Sequence, residues 1–169
     1  MLILISGASA SGKSTLSMNL SKVINAIIIP QDSFYNFEFD LFPYDKETNG
    51  IIEQPDIIDW DRIIKTVKSI PSDVNIIVEG HCIFTCRELV TIADHCFFID
   101  IDYDTCINRF VKRNADNYTD DMIKSKREYF IKHAWPIHKE YENNYLTQDT
   151  VIIQSDLKAI ETMKKIILT

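Results

Sequence analysis

A glycine-bounded segment near the start of the chain constrains its fold more than any other feature. Residues 7–15 read GASASGKST, which is the G-x-x-x-x-G-K-[ST] pattern of a phosphate-binding loop. The segment follows the apolar run at residues 2–5 and precedes residues with helical spacing, so strand, loop and helix come in the order that the motif requires. Two of the four glycines in the chain, Gly7 and Gly12, occupy the pattern. The sequence therefore predicts a binding site for a nucleoside triphosphate.

Each position of this loop has an expected task. Backbone N–H groups and the positive end of the following helix can surround the β-phosphate. Lys13 is expected to neutralise charge on the β- and γ-phosphates, Ser14 to offer its hydroxyl to Mg²⁺, and Thr15 to contact the α-phosphate. The residues expected to bind ATP are Gly7, Ala8, Ser9, Ala10, Ser11, Gly12, Lys13, Ser14 and Thr15.

Apolar runs and amphipathic segments alternate along the chain, which predicts an α/β fold. Strands are expected at residues 2–6, 26–30, 75–79, 94–101 and 151–154. Helices are expected at 14–24, over about ten residues that Asp59 can cap and that end near Pro71, and at 104–114, 120–143 and 157–168. Trp135-Pro136 must kink or break the fourth helix, because proline cannot donate a helical hydrogen bond. The strands lack polar alternation, so we expect a P-loop NTPase fold: a doubly wound, mainly parallel sheet of about five strands, covered on both faces.

Composition limits the possible partners of the chain. Its 169 residues, 46% of them hydrophobic, suit one domain that spans residues 1–169. The formal charge of −7 argues against nucleic acid or an anionic membrane as the main partner. The four cysteines form no C-x-x-C pair, so we expect reduced thiols rather than a metal site. Without a signal or a membrane-spanning stretch in the sequence, we expect a cytoplasmic protein.

Acidic residues follow two of the predicted strands, where ligands bind in parallel sheets. Asp32 comes directly after the second strand and is placed to orient an acceptor hydroxyl, although a turn or helix-cap role is an equal alternative on position alone. Glu79 ends the third strand and can hold Mg²⁺ together with Ser14. Asp100 and Asp102 are its rivals, and we favour Glu79 because Gly80 beside it would let a ligand approach the backbone closely.

Basic residues cluster in a region, 109–130, that we interpret as a closing lid. Arg109 and Arg113 are four residues apart, so one helical face can present both to the transferring phosphoryl group. Further basic residues follow in the same region, and a solvated helix face is the alternative interpretation. These further residues are Lys112, Lys124, Lys126 and Arg127.

Aromatic residues are concentrated in a second region, 31–58, that we interpret as a substrate-binding loop region. A planar ring held between these side chains would explain their number, and packing against the sheet is the alternative. The aromatic residues are Phe34, Tyr35, Phe37, Phe39, Phe42 and Tyr44, interleaved with Glu38 and Asp40.

Several segments together resemble the small P-loop nucleoside kinases, specifically the uridine kinases and nicotinamide riboside kinases. Residues 31–35 (QDSFY) are similar to a uridine kinase segment, and the resemblance implies that Asp32 is the catalytic base. Residues 54–56 (QPD) are similar to the HPD segment, which implies that Asp56 binds the ribose hydroxyls. Glu79-Gly80 matches both families, and Arg109 and Arg113 fall where their lid arginines lie. Residues 133–136 (HAWP) and Tyr141 look more like the nicotinamide riboside kinases.

The chain also departs from both families. Gln54 stands where uridine kinases have histidine, and Pro55 stands where nicotinamide riboside kinases have tyrosine. The extra hairpin and base-reading segment of longer uridine kinases has no counterpart here. The resemblance therefore implies catalysis more strongly than base specificity.

The expected activity is ATP- and Mg²⁺-dependent phosphorylation of the 5′-hydroxyl of a ribonucleoside, either a pyrimidine nucleoside or nicotinamide riboside. Catalytic roles are expected for Asp32, Lys13, Arg109 and Arg113, substrate binding for Asp32, Tyr35 and Asp56, and metal binding for Ser14 and Glu79. A nucleoside monophosphate kinase or another small-molecule kinase is the alternative, and a regulatory nucleotide-binding module is a weaker one. The expected partner is a small-molecule nucleoside substrate, with neither nucleic acid nor a membrane as a partner.

Overall fold

The fold is a five-stranded parallel sheet in the order β2-β3-β1-β4-β5. A computed structural model describes residues 1–36, 52–113, 115, 118–155 and 158–168. The strands are β1 (Leu2–Gly7), β2 (Ala26–Pro30), β3 (Asn75–Gly80), β4 (His95–Asp100) and β5 (Thr150–Gln154). All four neighbouring pairs run parallel, which confirms the predicted α/β P-loop architecture.

The central strand explains why the strands show no polar alternation. Leu2 and Leu4 of β1 belong to a core on one face of the sheet, together with side chains of the helices that cover it. Ile3 and Ile5 point to the other face and join a second core. Because successive side chains of a strand point to opposite faces, a strand covered on both sides must be apolar throughout.

Helices α1 and α7 cover one face of the sheet, and α2, α3 and α6 cover the other. The helices are α1 (Lys13–Ile24), α2 (Trp60–Ser69), α3 (Arg87–Ile92), α4 (Tyr103–Lys112), α5 (Asp120–Tyr129), α6 (Trp135–Tyr145) and α7 (Ala159–Ile167). Asp59 caps α2 as expected, because its side chain accepts a hydrogen bond from the Arg62 backbone N–H. None of these helices has both the length and the apolar character to cross a bilayer, in the ranges just given.

The helix predicted over residues 120–143 is divided rather than broken. A π-helical turn, Phe130–Ala134, joins α5 to α6, and the Trp135 N–H bonds the Phe130 carbonyl five residues back. Pro136 lies in the first turn of α6, where its missing N–H matters least. The proline therefore changes the hydrogen-bond pattern just before it, and the chain remains helical through Tyr145.

A short helix and two 3-10 turns were not predicted from the sequence. Helix α3 has six residues, too few to show a helical period. Residues 31–55 were expected to form a loop throughout, but a 3-10 turn, Gln31–Phe34, extends β2, and another, Pro55–Ile57, precedes α2. Tyr35 and Ile58 form a single antiparallel bridge that joins the two ends of the region.

Candidate active site

The phosphate-binding loop has the strained backbone that its glycines permit. Gly12 has φ 98° at the start of α1, and Ala10 has φ 72°. A Cβ on Gly7 would lie 2.9 Å from the Ile99 carbonyl oxygen of β4, so close packing also requires glycine there. The Ser11 N–H bonds the Ala8 carbonyl at 3.0 Å and closes the turn. The loop therefore forms a fixed backbone cradle at the carboxyl end of β1.

Lys13 lies beside this cradle and turns back onto it. Its Nζ donates to the Ala8 carbonyl at 3.1 Å, which keeps the ammonium over the loop. Ser14 and Thr15 follow on the exposed first turn of α1. An ammonium in this position can exchange a neutral carbonyl for the more strongly attracting oxygens of a phosphate.

Ser14 and Glu79 meet across the ends of α1 and β3. The Ser14 hydroxyl donates to Glu79 Oε1 at 3.0 Å. Glu79 is 7% exposed, and burial raises its pKa while the charge of Lys13 and the Ser14 hydrogen bond act in the opposite direction. A hydroxyl and a carboxylate form the hard oxygen set that Mg²⁺ prefers, so this pair fits the ion.

The two rival acids already have structural partners. Asp100 accepts a hydrogen bond from Gln154 Nε2 at 2.8 Å. Asp102 caps α4 by accepting from the Thr105 backbone N–H at 2.8 Å, and this bond lowers the pKa of its carboxyl. Neither bonds the Ser14 hydroxyl, so the geometry favours Glu79 as the acid next to the loop.

Asp32 lies on the 3-10 turn that follows β2, and Tyr35 directly follows that turn. The Tyr35 hydroxyl donates to Asp32 Oδ1 at 3.4 Å, and Asp32 itself is exposed. Burial raises the pKa of Tyr35, and the Asp32 charge raises it further. The negative charge of Asp32 also raises the pKa of Glu79. The carboxylate on the turn after β2 therefore lies within electrostatic reach of the carboxylate at the end of β3.

Gly80 has a different role from the one that its position indicated. A Cβ on Gly80 would lie 2.5 Å from Gln31 Cβ and would also meet Gln31 Oε1. The Gln31 side chain, not a ligand, therefore occupies the space beside this glycine. The expectation of close ligand approach at Gly80 is wrong, because a side chain of the neighbouring turn fills the place.

Glu53 is a member of this region that the sequence did not indicate. It is 3% exposed, its Oε1 accepts from the Ser9 hydroxyl at 3.3 Å, and its Oε2 accepts from the Tyr129 hydroxyl. Its backbone carbonyl accepts from the Tyr141 hydroxyl at 2.8 Å. Burial raises the pKa of Glu53, while the hydrogen bonds and the nearby Lys13 charge act in the opposite direction. A buried carboxylate thus ties the segment before α2 to the phosphate-binding loop.

Asp56 lies three residues further along, in the exposed 3-10 turn Pro55–Ile57. The bridge between Tyr35 and Ile58 brings this turn beside the one that carries Asp32. The Asn36 N–H also bonds the Ile57 carbonyl at 2.8 Å, and the Asp59 N–H bonds the Phe34 carbonyl at 2.7 Å. The two turns that carry the predicted substrate-binding acids are therefore fastened to each other by their backbones.

The two predicted lid arginines lie one helical turn apart at the end of α4. Arg109 lies in α4, and its Nη1 donates to the Ser11 carbonyl at 3.4 Å and to Ser155 Oγ at 3.2 Å. Arg113 caps the end of α4: its N–H bonds the Arg109 carbonyl at 3.0 Å, and the chain leaves the helical path after it, with ψ 115°. The charge of Arg113 lowers the pKa of Glu79, so it lies within electrostatic reach of the site. The joint action of the two arginines on a transferring phosphoryl group stays a prediction.

Lys126 is a structural residue rather than an exposed lid cation. It is 8% exposed, and its Nζ donates to the Arg113 carbonyl at 2.6 Å. The ammonium also lies over the rings of Phe110 and Tyr118, at 5.3 and 4.9 Å from their centroids. Burial lowers its pKa. Lys126 therefore joins α5 to the end of α4, whereas Lys112, Lys124 and Arg127 are exposed.

Part of the predicted aromatic region lies outside the described residues, namely Phe37, Phe39, Phe42 and Tyr44 with Glu38 and Asp40. Phe34 is buried in the core below the site, and the Arg62 guanidinium lies 5.0 Å from the centroid of its ring. Phe34 therefore packs the core, which agrees with the packing alternative. His138 of α6 also packs the core, where its ring stacks on Phe98 with centroids 5.5 Å apart.

Comparison with known proteins gives the family. A family model described as an AAA domain (AAA_18) matches residues 3–131. The chain is 28% identical to nicotinamide riboside kinase 1 of Homo sapiens and 28% identical to uridine kinase of Chlamydia pneumoniae, in each case with 83% of this chain and 75% of the relative covered.

Among solved structures, a shikimate kinase from Bacteroides thetaiotaomicron aligns with a TM-score of 0.64 and 14% identity, covering 100% of this chain and 99% of that one. At this identity the likeness establishes the fold alone. The likeness agrees with the five-stranded parallel sheet described above. The chain therefore belongs to the P-loop family whose model is described as an AAA domain, and it is a P-loop kinase, that is, a phosphotransferase.

Proposed function

We propose that this kinase transfers the γ-phosphoryl group of ATP to the 5′-hydroxyl of a ribonucleoside. The observation that carries the proposal is the arrangement around Glu79. Its carboxylate accepts a hydrogen bond from the Ser14 hydroxyl of the donor cradle. The charge of Lys13 lowers the pKa of Glu79, and the charge of Asp32 raises it. Phosphoryl transfer requires a cradle for the donor, an acid that can hold a metal, and a second carboxylate that orients the acceptor. Here these groups are the phosphate-binding loop, Glu79, and Asp32 on the turn after β2. The two relatives named above, a nicotinamide riboside kinase and a uridine kinase, support a nucleoside as the acceptor.

The donor side follows from the loop geometry. Gly7 and Gly12 let the backbone curve around a phosphate, and residues 7–15 would present their N–H groups to the triphosphate. Lys13 would leave the Ala8 carbonyl and bond the β- and γ-phosphates. Arg109 reaches the Ser11 carbonyl from α4, so its guanidinium would lie beside the bound nucleotide.

Ser14 and Glu79 would hold Mg²⁺ through the Ser14 hydroxyl and the Glu79 carboxylate. When bound, the ion neutralises negative charge on the β- and γ-phosphates. The buried carboxylate of Glu79 lacks an ammonium or guanidinium partner at salt-bridge distance among the described residues, so a cation there would also offset the cost of its burial.

The acceptor side is formed by the two joined turns. Asp32 would accept a hydrogen bond from the 5′-hydroxyl and take its proton late in the transfer, with Tyr35 orienting the carboxylate through its hydroxyl. Asp56 would accept hydrogen bonds from the ribose diol. Arg113 would come over the transferring group when the region 109–130 closes.

The decisive experiment is a substrate panel. Purified protein with ATP and Mg²⁺ is assayed for ADP release with uridine, cytidine and nicotinamide riboside, and with the 5′-monophosphate of each. We expect turnover with at least one nucleoside and product phosphorylated at the 5′ position. Strong turnover on monophosphates with weak turnover on nucleosides would select the alternative, a nucleoside monophosphate kinase.

One observation weighs against that alternative. A monophosphate acceptor requires cationic side chains that bind its phosphate, and arginine suits this best. Arg62 and Arg87 precede the region 109–130, and their guanidinium groups lie over the rings of Phe34 and Tyr145. A regulatory module would bind ATP without turnover on any acceptor of the panel.

We propose a cytoplasmic location, where the four free cysteines stay reduced.

A further inference from the structure

Ser155 reaches the phosphate-binding loop from the far end of the chain and has no part in the proposed mechanism. It directly follows β5, and its hydroxyl donates to the Ser11 carbonyl at 2.7 Å. These two residues are 144 positions apart in the sequence. The Ser155 N–H bonds the Asp100 carbonyl at 3.0 Å, which fixes the backbone of Ser155 to the end of β4. The hydroxyl is therefore held against the loop from the sheet itself.

The Ser11 carbonyl has a second partner on the same side. Arg109 Nη1 donates to this carbonyl at 3.4 Å and to Ser155 Oγ at 3.2 Å. The serine hydroxyl therefore donates to the loop and accepts from the arginine. The Leu16 N–H bonds the Gly12 carbonyl at 3.0 Å, so the hydrogen bonds of α1 begin one residue after Ser11. Side chains from α4 and from the end of β5 thus hold the Ser11 carbonyl.

The direction of this carbonyl determines the direction of the next N–H group. The peptide bond that joins Ser11 to Gly12 is planar and trans, so the Ser11 C=O and the Gly12 N–H point in opposite directions. Gly12 has φ 98°, and glycine adopts positive and negative φ about equally well. A half-turn of the peptide unit is therefore open to the glycine, and it would present a carbonyl oxygen where an N–H group now points. A carbonyl oxygen repels a phosphate, whereas an N–H group binds it.

Contacts around Gly12 agree with such a control of the loop from outside. A Cβ on Gly12 would lie 3.4 Å from Ser155 Oγ and 3.7 Å from Arg109 Nη1, so both side chains lie directly beside this peptide unit. The Cys106 thiol of α4 donates to the Ser9 carbonyl at 3.1 Å, two residues before Ser11. Alternate carbonyls of the loop therefore point toward side chains of α4 and of the end of β5.

We propose that Ser155 is a positioning residue for the phosphate donor: its hydroxyl holds the Ser11 carbonyl and thereby aims the Gly12 N–H at the phosphates of ATP. An N–H group that is already aimed costs less to bring into contact than one that must first turn. Arg109 carries a charge that the nucleotide attracts, whereas the Ser155 hydroxyl is neutral and fixed to the sheet. Ser155 is therefore the partner that keeps the Ser11 carbonyl in place when a nucleotide binds. The inference rests on the donor side of the proposed function, since it needs a polyphosphate in the loop, and it does not depend on the acceptor.

The test measures the dissociation constants of ATP and of inorganic tripolyphosphate, both with Mg²⁺, by titration calorimetry, and the KM of the accepted nucleoside at saturating ATP. Ser155→Ala removes the hydroxyl. Ser155→Thr and Ser155→Val introduce side chains of equal shape, and only Ser155→Thr keeps the hydroxyl. Ser69→Ala is the matched control, because the Ser69 hydroxyl also donates to a carbonyl at 2.7 Å, that of Thr66 in α2.

We expect Ser155→Ala and Ser155→Val to weaken the binding of both ATP and tripolyphosphate about fivefold, as for loss of one hydrogen bond, and Ser155→Thr to stay within about twofold of the wild type. Tripolyphosphate has no base or sugar, so an equal loss locates the effect at the phosphates. Ser69→Ala should leave these constants unchanged, and the nucleoside KM should stay within about twofold in every variant. Unchanged affinity in folded Ser155→Ala, equal affinity of Ser155→Thr and Ser155→Val, or a loss for ATP alone would overturn the proposal.

A double-mutant cycle separates the effect on the loop from an effect on the arginine, since Ser155 also accepts a hydrogen bond from Arg109. If Ser155 acts on the Ser11 carbonyl, Ser155→Ala should weaken tripolyphosphate binding in the Arg109→Ala background by at least the same factor as in the wild type. Disappearance of the effect in that background would show that Ser155 only holds Arg109, and would overturn the role given to the loop peptide.

Urea unfolding verifies that each variant is folded. If Ser155→Ala fails to fold, the comparison of Ser155→Thr with Ser155→Val decides. A wild type that binds neither ATP nor tripolyphosphate would contradict the donor side of the proposed function and this inference with it. If the wild type binds both but phosphorylates no nucleoside, the acceptor side of the proposed function fails alone, and the binding data still decide the role of Ser155.

Discussion

At the residue scale, Gly80 shows how one missing side chain organises the end of β3. The Gln31 side chain fills the space that a Cβ of Gly80 would occupy. The amide oxygen of Gln31 accepts a hydrogen bond from the Cys82 N–H, and its amide nitrogen lies 3.1 Å from His81 Nδ1. We predict that Gly80→Ala destabilises the fold by about 1–3 kcal/mol, because Gln31 must move and its hydrogen bonds with it. Urea unfolding measures this loss.

The control for this prediction is a double-mutant cycle with Gln31→Gly, which removes the Cβ that would lie 2.5 Å from the added methyl group as well as the rest of the Gln31 side chain. In that background the second substitution, Gly80→Ala, should cost far less than it does alone. Additive losses would show that Gln31 is not the neighbour that requires glycine at position 80.

Asp32 carries the second prediction at this scale. We expect Asp32→Asn to reduce kcat by on the order of 10²–10⁴-fold, because the amide cannot take the proton of the acceptor hydroxyl. The affinity for ATP should stay within about twofold, since Asp32 lies on the turn after β2 and not in the loop that holds the phosphates. Ser33→Ala, on the neighbouring exposed residue, is the matched control and should leave kcat unchanged. Near-normal turnover in Asp32→Asn would remove Asp32 from the mechanism.

At the scale of elements, two tyrosines fasten the segment before α2 to α5 and α6, two of the helices between β4 and β5. Tyr129, at the end of α5, donates to the Glu53 carboxylate and accepts from the Ile52 N–H at 3.0 Å. Tyr141 of α6 holds the Glu53 carbonyl. The Ser9 hydroxyl connects the same carboxylate to the phosphate-binding loop. The buried Glu53 therefore joins the segment before α2, the phosphate-binding loop, and helices α5 and α6.

We predict that Tyr129→Phe lowers the free energy of unfolding by about 1–3 kcal/mol, because the substitution takes one donor from the buried Glu53 carboxylate and the acceptor from the Ile52 N–H. Urea unfolding checks the value. Tyr145→Phe is the control, since Tyr145 contacts Tyr141 edge to face and its hydroxyl is not part of this cluster. A loss in Tyr145→Phe as large as in Tyr129→Phe would contradict the role given to Glu53.

At the scale of the whole molecule, burial of His138 makes stability depend on pH. Burial lowers its pKa from 6.5 to about 4, with the charges of Glu142 and Lys139 as smaller influences. Between these values the unfolded chain binds a proton that the folded protein does not bind. The contribution of His138 is therefore fully present above about pH 6.5 and decreases as the pH falls toward 4.

We predict that the wild type loses about 2 kcal/mol more stability than His138→Phe when the pH is lowered from about 7 to about 4.5. Burial raises the pKa of Glu53 and Glu79, which acts in the opposite direction, but both acids are present in the two proteins and cancel in the difference. Urea unfolding at the two pH values gives the comparison. Equal losses in the two proteins would show that His138 is not the group responsible.

Features that depend on nearby residues could be predicted from the sequence. The phosphate-binding loop is contiguous, the strands are apolar because both faces of the sheet are covered, and Asp59 caps α2 from the adjacent position. The same holds for Ser14 and Glu79, because residues at the carboxyl ends of neighbouring parallel strands must converge. Their meeting was predictable even though 65 residues separate them.

Features that depend on distant packing could not be predicted. Glu53 is an ordinary acidic residue in the sequence, and it is buried by tyrosines 76 and 88 residues further along the chain. Lys126 carries a charge like its exposed neighbours, yet it packs on two rings. Such outcomes depend on side chains that sequence spacing does not bring together.

The sequence by itself therefore determined the P-loop, the parallel sheet and the edge at which the site lies, because local patterns and strand direction are sufficient for each. Only the tertiary structure decided that Gln31 fills the space at Gly80, that Glu53 is buried, and that Lys126 packs on two rings. The physical reason is that burial and hydrogen-bond partners depend on the packing of segments far apart in the chain.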